Sequence, residues 1–382
     1  MSVTAARGFR AAGVAAGLKA SGGPDVAVVT NDGPITSAAG VFTTNRVKAA
    51  PVLWSEQVLT GGQLRAVVLN SGGANACTGP EGFQDTHVTA EHLAQLLGCG
   101  AGEVAVCSTG LIGERLAMPL LLDGVDKAVA SLAPGGGDDA AEAIRTTDTR
   151  RKVAVARAGA ATVGGMAKGA GMLAPGLATM LCVLTTDAAA APDTLDRVLR
   201  RAVRTTLDRV DSDGCMSTND TVLLMASGVA GEVDEAALEA AVTDVCADLS
   251  RRLVADAEGA SKFVSVHVRG AAGEDDAVEV ARAVARSNLL KCAVHGNDPN
   301  WGRVLAAVGT TRAAFEPDRL DVAINGIWVC RAGAAAADRN TVDMTPREVD
   351  ITIDLHAGAA EATVLTTDLT AAYVHENSAY ST

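Results

Sequence analysis

Short apolar runs alternate along the chain with longer stretches in which apolar residues recur at helical spacing. The short runs are typical of buried strands, and spacings of three and four residues are typical of helices that bury one face. The pattern predicts strands at 25–30, 64–70, 103–107, 152–158, 161–166, 179–185, 221–227, 262–269, 320–324, 327–330, 349–355 and 362–367. It predicts helices at 86–97, 119–132, 139–145, 192–210, 234–255 and 276–287.

The order of these elements predicts a mixed fold of the α/β or α+β class. The strands at 152–158 and 161–166 are neighbours along the chain, as are those at 349–355 and 362–367. So short a connection favours antiparallel pairing, because a parallel pair needs a long crossover. Simple Rossmann winding, which alternates strands with helices, is therefore disfavoured.

Composition narrows the function classes. The 382 residues suggest two or three domains, at roughly 150 residues per domain. The formal net charge of −13 makes a nucleic-acid or anionic membrane partner unfavourable. No run reaches the ~20 apolar residues of a membrane span, and the run at 11–18 is too short for a signal peptide. We therefore expect a soluble, cytoplasmic protein.

Metal and nucleotide sites are also disfavoured. The eight cysteines are scattered without a Cys-x-x-Cys, and the closest histidines, His87 and His92, are five residues apart and so off one helical face. The glycine clusters at 70–73 and 168–171 match neither the dinucleotide fingerprint nor the P-loop. The acidic segment 211–214 lacks the full string of a calcium loop. We expect no metal and no cofactor.

The most informative segment is 168–187, which reads KGAGMLAPGLATMLCVLTTD. A loop containing glycine and proline leads into an apolar strand whose first residue, Thr179, follows Ala178. A hydroxyl there could attack the preceding carbonyl, and cleavage would free an α-amine with an ordinary pKa of about 7.7–8, suited to act as the nucleophile's own base. β-Propensity alone also accounts for a threonine that starts a strand.

A series of motifs extends along the whole chain. The segments are 8–14 (GFRAAGV), 42–45 (FTTN), 70–72 (NSG), 75–79 (NACTG), 108–113 (STGLIG), 146–149 (TTDT), the loop at 168–179, 217–221 (STNDT), 258–260 (EGA), 295–303 (HGNDPNWGR) and 376–380 (ENSAY). By these motifs and their order, the chain resembles the self-processing ornithine acetyltransferase (glutamate N-acetyltransferase) family. Gly73 and Gly176 depart from the pattern, which has asparagine at both positions.

The resemblance implies an activity. Thr179 first cuts the Ala178–Thr179 bond and then carries an acetyl group as an ester. In ping-pong order, N2-acetylornithine acetylates the enzyme and leaves as ornithine, and glutamate then takes the acetyl group to give N-acetylglutamate. Because the acyl-enzyme divides one hard step into two easier ones, neither metal nor nucleotide is required. Whether acetyl-CoA is a second donor stays open.

The resemblance also implies roles for single residues. The Thr109 side chain and the Gly110 N–H match the oxyanion hole. Substrate contacts map onto Thr146, Lys168, Thr179, Glu258, Asn377 and Thr382. Lys168 can bind a carboxylate, and Glu258 or Asn377 can bind an ammonium or amide group.

Ordinary interpretations of the same residues remain. Thr109 can be a turn residue, Lys168 a solvated loop charge, and Glu258 a charge at a helix end. Thr147 is an alternative to Thr146. The polar segment 295–303 either shapes the site or forms a buried polar turn.

The implied architecture is a layered α/β/β/α sandwich with a smaller C-terminal α/β region at roughly 260–360. Self-cleavage would give an α chain (1–178) and a β chain (179–382), assembled as a two-α, two-β heterotetramer. Two alternatives are a self-processed N-terminal-threonine aminopeptidase or amidase of related fold, and a binding protein that is never cleaved.

Overall fold

The computed structural model describes residues 2–173 and 180–379. Its strands are β1 (Phe9–Val14), β2 (Val26–Asn31), β3 (Ala38–Phe42), β4 (Ala66–Asn70), β5 (Val104–Ser108), β6 (Lys152–Ala158), β7 (Ala161–Lys168), β8 (Leu181–Ala189), β9 (Thr221–Glu232), β10 (Phe263–Ala271), β11 (Asp321–Ile324), β12 (Ile327–Arg331), β13 (Ala334–Ala335), β14 (Glu348–Asp354) and β15 (Ala360–Thr367).

The α-helices are α1 (Ala50–Leu59), α2 (Gly79–Leu97), α3 (Met118–Ala130), α4 (Gly137–Ala143), α5 (Pro192–Thr205), α6 (Glu235–Ala255), α7 (Glu274–Ala285), α8 (Asn288–His295), α9 (Trp301–Val308) and α10 (Ala371–Ala379). Among the described residues, no helix is both long and apolar enough to cross a membrane.

Most predicted elements are present with shifted ends. Helix α2 begins at Gly79 rather than at 86, with a proline in its first turn. Helix α5 ends at Thr205, and a 3₁₀ turn at Leu207–Arg209 follows where the prediction continued the helix to 210. The predicted strand start at 179 lies outside the described residues, and β8 begins at Leu181.

The periodic pattern missed β1, β3, β13, α1, α8, α9 and α10. Strand β1 reads FRAAGV, with small residues that carry little β signal, and its backbone pairs with β2 over its whole length. Helix α1 is largely buried and has no continuous polar face. Tertiary contacts therefore decide these elements where local preference is weak.

The first two sheets carry most of the chain. One has four strands in the order β1-β2-β4-β5, of which only β4 and β5 pair in parallel. The other has five in the order β3-β9-β8-β7-β6, with only β8 and β9 parallel. The predicted antiparallel pairing of 152–158 with 161–166 is confirmed as β6 with β7.

Alternate residues of β8 face opposite layers. Leu181 and Val183 join the core shared with the four-stranded sheet, whereas Cys182 and Leu184 join the core under α5 and α6. Helices α2 and α3 pack against β5 and β2 on the four-stranded sheet. The layers therefore run α/β/β/α, which confirms the expected fold class and explains why β8 begins with an unbroken apolar run at 181–184.

A third sheet has the order β13-β12-β11-β14-β10-β15, and α7 packs on β10 and β15. The predicted pairing of 349–355 with 362–367 is wrong. Strand β10 lies between β14 and β15, parallel to the first and antiparallel to the second. Residues 355–359 thus span a whole strand instead of forming a hairpin turn.

The ends of several strands meet at one edge of the two packed sheets. In the five-stranded sheet, Lys168 pairs with Leu181 and Leu181 pairs with Thr221, so the end of β7 and the starts of β8 and β9 lie in one row. In the four-stranded sheet, Asn70 pairs with Ser108 at the ends of β4 and β5. Several predicted site residues adjoin these positions. Lys168 is itself the end of β7, Thr109 and Gly110 directly follow β5, and Ala178 and Thr179 precede β8 in the sequence.

Candidate active site

Three predicted site residues, Ala178, Thr179 and Thr382, lie outside the described residues, as does Gly176. The last described residue before the predicted cleavage bond is Leu173, and the first after it is Met180. Leu173 and Met180 are therefore the described residues that flank the segment 174–179, at its entry end and its exit end.

The entry end is held by the acidic segment that begins at Asp211. Leu173 donates its N–H to Asp213 Oδ2 at 3.3 Å, and the Ser212 N–H donates to the Leu173 carbonyl at 2.5 Å. Burial raises the pKa of Asp213, while the N–H groups of Cys215 and Leu173 oppose that shift. Asp213 therefore anchors backbone, whereas the Asp211 carboxylate pairs with the Arg286 side chain at 2.7 Å.

The exit end is held in the same way. Met180 donates its N–H to Asp220 Oδ1 at 2.9 Å, and the Thr221 N–H donates to the Met180 carbonyl at 3.0 Å. Asp220 is fully buried, and burial raises its pKa well above the ordinary value against the opposing effects of the Met180 amide and Lys168. One continuous stretch, 211–221, thus fixes both ends of the predicted cleavage loop.

The predicted oxyanion-hole residues directly follow β5. The Thr109 N–H donates to the Asn70 carbonyl at 3.0 Å, which keeps Thr109 beside the end of β4. Gly110 has φ +131°, and a Cβ at this position would lie 2.9 Å from both N and Cα of Gly73. Glycine is therefore required at 110 by backbone conformation and by close approach.

The family departure at Gly73 leaves this backbone in place. Gly73 forms an isolated β-bridge with Thr109. A Cβ at 73 would meet only Leu116, at 3.1 Å from its Cδ2. A side chain here would thus press on a partly buried leucine rather than on Gly110.

Two asparagine side chains brace the residue before Thr109. Asn70 Nδ2 donates to Ser108 Oγ at 2.7 Å. Asn219 Nδ2 donates to the Ser108 carbonyl at 2.8 Å and to the Ala74 carbonyl at 2.6 Å. Asn219 adjoins Asp220 in the chain. The segment that holds Met180 therefore also fixes Ser108, the residue before the predicted oxyanion hole.

Lys168 is the last residue of β7 and is only 1% exposed, so the interpretation as a solvated loop charge is wrong. Its Nζ donates to Thr109 Oγ1 at 3.3 Å. Burial lowers the pKa of Lys168, and the Asp148 carboxylate is the largest influence opposing that shift. The structure thus joins a predicted substrate-binding cation to a predicted oxyanion-hole hydroxyl.

Behind Lys168 lies a buried ion network. Lys152 Nζ contacts Asp148 Oδ1 at 2.5 Å and Asp256 Oδ2 at 2.7 Å. Asp148 also accepts the Gly169 N–H at 2.8 Å. Burial raises the pKa of Asp148, but the charges of Lys168 and Lys152 outweigh it and bring the value to about 2. Asp148 therefore stays ionised and provides a fixed negative charge beneath Lys168.

Glu258 is the centre of a second group. Its Oε1 accepts the Thr147 hydroxyl at 2.6 Å, and its Oε2 accepts Asn377 Nδ2 at 3.1 Å. Its own N–H donates to the Ala170 carbonyl at 2.9 Å, two residues beyond Lys168. A Cβ at Gly171 would lie 2.5 Å from the Glu258 carboxylate, so glycine there makes room for this side chain.

The C-terminal segment reaches the site by folding back over Gly259. Thr370 Oγ1 donates to the Gly259 carbonyl at 2.7 Å. Gly259 has φ +61°, and a Cβ on it would lie 2.2 Å from the Tyr373 nitrogen. This packing places α10, and with it Asn377, against Glu258.

Between the two predicted threonines, the hydroxyl of Thr147 faces Glu258, whereas the contact of Thr146 is made by its backbone N–H to Asp148 Oδ2 at 3.1 Å. Both line a pocket of about 690 Å³ together with Glu258 and Asn377. A volume in this range suits a small-molecule ligand. Lys168, Thr109 and Gly110 are not among its lining residues and form a separate group beyond Ala170.

No residue of the polar segment 295–303 is among the lining residues of this pocket. Asn300 caps α9 by accepting the Arg303 N–H, and His295 Nδ1 contacts Asp368 Oδ2 at 3.0 Å. The residues described here hold no group of three or more His, Cys, Asp or Glu side chains suited to a metal ion.

Four residues around the site were not predicted from the sequence: Asp148, Asp213, Asn219 and Asp220. Asn219 and Asp220 stand in a quoted motif, 217–221, and Asp148 in another, 146–149. Their place in these motifs was the one signal that the sequence offered. Nothing in the local sequence distinguishes a buried carboxylate that accepts a backbone N–H from an acidic residue on the surface.

Comparison with known proteins gives consistent matches. Residues 10–382 match the ArgJ family. Proteins named arginine biosynthesis bifunctional protein ArgJ from Streptomyces avermitilis and Streptomyces coelicolor are 68% identical over 383 residues and 67% identical over 382 residues, each with 100% of both chains covered. A solved ornithine acetyltransferase from Mycobacterium tuberculosis, complexed with ornithine, is 62% identical with a TM-score of 0.44, covering 46% of this chain and 94% of that chain.

Proposed function

Since this chain belongs to the ArgJ family, we propose that it transfers an acetyl group from N2-acetylornithine to glutamate through an acetyl ester on Thr179. It is an acetyltransferase of arginine biosynthesis, and its curated relatives are named arginine biosynthesis bifunctional protein ArgJ.

The first step is attack of the Thr179 hydroxyl on the acetyl carbonyl of N2-acetylornithine. The carbonyl oxygen becomes an oxyanion, which needs donors already in place. Thr109 Oγ1 accepts from Lys168, so its own hydrogen is left to donate, and the Gly110 N–H meets no acceptor among the described residues. Loss of one such donor costs ~2.7–4 kcal/mol of transition-state stabilisation in comparable enzymes.

The acetyl donor N2-acetylornithine and the acceptor glutamate carry similar charged groups, which the same residues bind. Both carry a carboxylate, which Lys168 binds, and both carry an ammonium group, on the side chain of N2-acetylornithine and on the α-carbon of glutamate, which the Glu258 carboxylate binds. Thr146 or Thr147, Asn377 and Thr382 complete the contacts. After ornithine leaves, the glutamate amine attacks the acetyl ester, so the same set of residues serves both halves of a ping-pong cycle.

The finer parts of the proposal concern processing and assembly. Thr179 cuts the Ala178–Thr179 bond of the precursor, and the two chains stay together in a cytoplasmic α2β2 heterotetramer. Acetyl-CoA is a second acetyl donor, in line with the word bifunctional in the names of the relatives. Catalysis uses neither a metal nor a cofactor.

The observation that carries the proposal is the hydrogen bond from buried Lys168 to Thr109 Oγ1 beside the Gly110 amide. The test incubates the protein with N2-acetylornithine and glutamate and quantifies N-acetylglutamate, ornithine and acetate. Equal amounts of ornithine and N-acetylglutamate are expected, together with a transient acetyl mass on the C-terminal fragment when glutamate is omitted. Acetate without N-acetylglutamate would instead identify a hydrolase.

A further inference from the structure

We propose that Arg347 binds the side-chain carboxylate of the acceptor glutamate, a group that N2-acetylornithine lacks, and so selects a dicarboxylic acceptor. This role rests on the acetyl transfer proposed above and adds to it a residue that determines specificity. Three features of the pocket around Glu258 support it: the charges that line the pocket, the partners of each charge, and the position of Arg347 beside Glu258.

The two substrates differ in one charged group. N2-acetylornithine has one carboxylate and one ammonium group, whereas glutamate has two carboxylates and one ammonium group. Lys168 and Glu258 match the first set, and they leave the side-chain carboxylate of glutamate without a partner. A carboxylate that leaves water needs a cation or hydrogen-bond donors, so the acceptor requires a second cation near Glu258.

Side chains of both charges line the pocket of about 690 Å³. Its ionisable lining residues are Arg150, Asp256, Glu258, Arg347, His375 and Glu376. Asp256 is already paired, because its Oδ2 lies 2.7 Å from Lys152 Nζ, and Arg150 Nε lies 3.7 Å from Asp256 Oδ1. Among the residues that the structure describes, Arg347 pairs with no carboxylate and Glu258 with no lysine or arginine. The pocket therefore presents one unmatched charge of each sign, as a bound amino acid requires.

Arg347 is held through one nitrogen of its guanidinium. Its Nη2 donates to the Ala255 carbonyl at 2.6 Å, at the C-terminal end of α6, where exposed carbonyls favour a cation. Within the described ranges, Nε and Nη1 make no hydrogen bond. A guanidinium has five N–H donors, and a carboxylate accepts two of them in parallel. Arg347 is exposed, so these remaining donors can bind a carboxylate while the contact with the helix is kept.

Arg347 reaches this position from a distant part of the chain. Strand β14 begins at the next residue, Glu348, which pairs with Phe263 at the start of β10, and the Phe263 N–H donates to the Arg347 carbonyl at 2.8 Å. Ala255 and Glu258 are three residues apart, so their Cα atoms are separated by at most about 11 Å. Arg347, in contact with Ala255, and Glu258 therefore line the pocket from neighbouring positions.

The charges proposed to hold glutamate alternate in sign. The negative charge of Glu258 raises the pKa of Lys168 against the larger, lowering effect of burial. This influence acts through space, so the two charges lie near each other although Lys168 does not line the pocket. Lys168, Glu258 and Arg347 thus provide positive, negative and positive charges, which are complementary to the carboxylate, ammonium and carboxylate groups of glutamate.

Arg150 provides a matched control. It lines the same pocket and carries the same charge, but it lies beside the Asp256 carboxylate. If only the overall charge of the pocket mattered, loss of either arginine would weaken the recognition of glutamate to a similar extent. A direct contact predicts a larger loss for Arg347.

The experiment compares glutamate with glutamine as the acetyl acceptor. Glutamine has nearly the same shape, but an uncharged amide replaces its side-chain carboxylate. With N2-acetylornithine as donor, kcat/KM for each acceptor gives a selectivity ratio for wild type, Arg347→Gln, Arg347→Lys and Arg150→Gln. Release of ornithine without an acceptor follows the donor half-reaction alone. Far-UV circular dichroism and thermal melting report the folding of each variant.

We expect the wild type to prefer glutamate, and Arg347→Gln to lower this preference about tenfold, mainly through KM for glutamate. Tenfold is near the lower end for a hydrogen bond to a charged group, because Arg347 is exposed. Arg347→Lys should keep part of the preference, and Arg150→Gln should lower it about threefold or less. In Arg347→Gln, ornithine release should fall much less than transfer to glutamate, since the donor has no side-chain carboxylate.

The role of Arg347 is overturned if the wild type does not prefer glutamate, if Arg347→Gln keeps the wild-type preference, or if Arg150→Gln loses it equally. A parallel fall of the donor half-reaction in Arg347→Gln would also overturn it, because it would indicate that Arg347 only supports Ala255. Failure of the proposed function differs from all of these. In that case the wild-type protein itself forms no N-acetylglutamate.

Discussion

Lys168 Nζ lies 3.3 Å from Thr109 Oγ1, and both side chains are almost completely buried. The contact joins the end of β7 in one sheet to the residue after β5 in the other. The charged Lys168 ammonium donates a hydrogen bond to the Thr109 hydroxyl and so strengthens that hydroxyl as a donor in turn. Charge-assisted hydrogen bonds are the stronger ones at low dielectric. The roles proposed for Lys168 in substrate binding and for Thr109 in oxyanion stabilisation thus meet in one pair of atoms.

Lys168→Met should therefore lower kcat as well as raise KM, with a loss in kcat/KM on the order of 10²–10³, the cost of one oxyanion-hole donor. Since burial lowers the pKa of Lys168, the charged lysine is lost as the pH rises, at lower pH than for an exposed lysine. The wild-type rate should fall on that alkaline side, and Lys168→Arg should move the fall upward. Steady-state kinetics from pH 6 to 10 measure both effects, with exposed Lys127→Met as control.

Thr179→Ala should leave a single uncut chain without acetyltransferase activity, because both steps use the same hydroxyl. Intact-mass measurement and the first residue of the C-terminal fragment check the result in variant and wild type. The wild-type fragment must begin at Thr179. Turnover by the variant at a substantial rate would rule out the nucleophile assignment.

Gly110→Ala should strongly reduce both cleavage and acetyl transfer, since the new Cβ would lie 2.9 Å from the Gly73 backbone and shift the Gly110 amide. Gly113→Ala is the matched control. Gly113 also has positive φ, at +89°, but a Cβ there meets nothing within 4 Å. Equal losses in the two variants would show that backbone strain alone explains the effect.

Thr147→Val should reduce kcat/KM by about 10–100-fold, because a hydrogen bond to a charged group is worth about 1.5–3 kcal/mol and this one orients Glu258. Thr146→Val should change it little, since the structural contact of Thr146 is made by its backbone N–H. The kcat/KM values of the two variants for N2-acetylornithine decide the matter. A larger loss in Thr146→Val than in Thr147→Val would instead identify the Thr146 hydroxyl as the direct substrate contact.

Asp148 should contribute to acid stability. Its pKa falls from 3.8 to about 2 on folding, so its contribution of about 2 kcal/mol is complete above pH 4 and is lost as the pH drops towards 2. Asp148→Asn should flatten this part of the profile. Urea unfolding between pH 5 and 2, in the uncut Thr179→Ala chain so that dissociation plays no part, measures the difference.

Sequence patterns were reliable where one element determines its own geometry. The apolar run of β8 and the turn between β6 and β7 predicted a buried strand and an antiparallel pair, and both are confirmed. The failure at β14 and β15 has the opposite cause. Strand β10, distant in the sequence, inserts between them, and no local signal reports the position of a third strand.

The motifs alone were enough to identify the family, and they pointed to Thr109, Gly110, Lys168 and Glu258 without any coordinates. They could not decide whether Lys168 is solvated or buried, or which threonine hydroxyl faces Glu258. They also gave no role to Asp220. A side chain's charge and proton depend on the groups that surround it in space, and for these residues those groups come from distant strands and loops. The sequence by itself thus determined the fold class and the candidate chemistry, whereas only the packing of the two sheets decided which residues share a site.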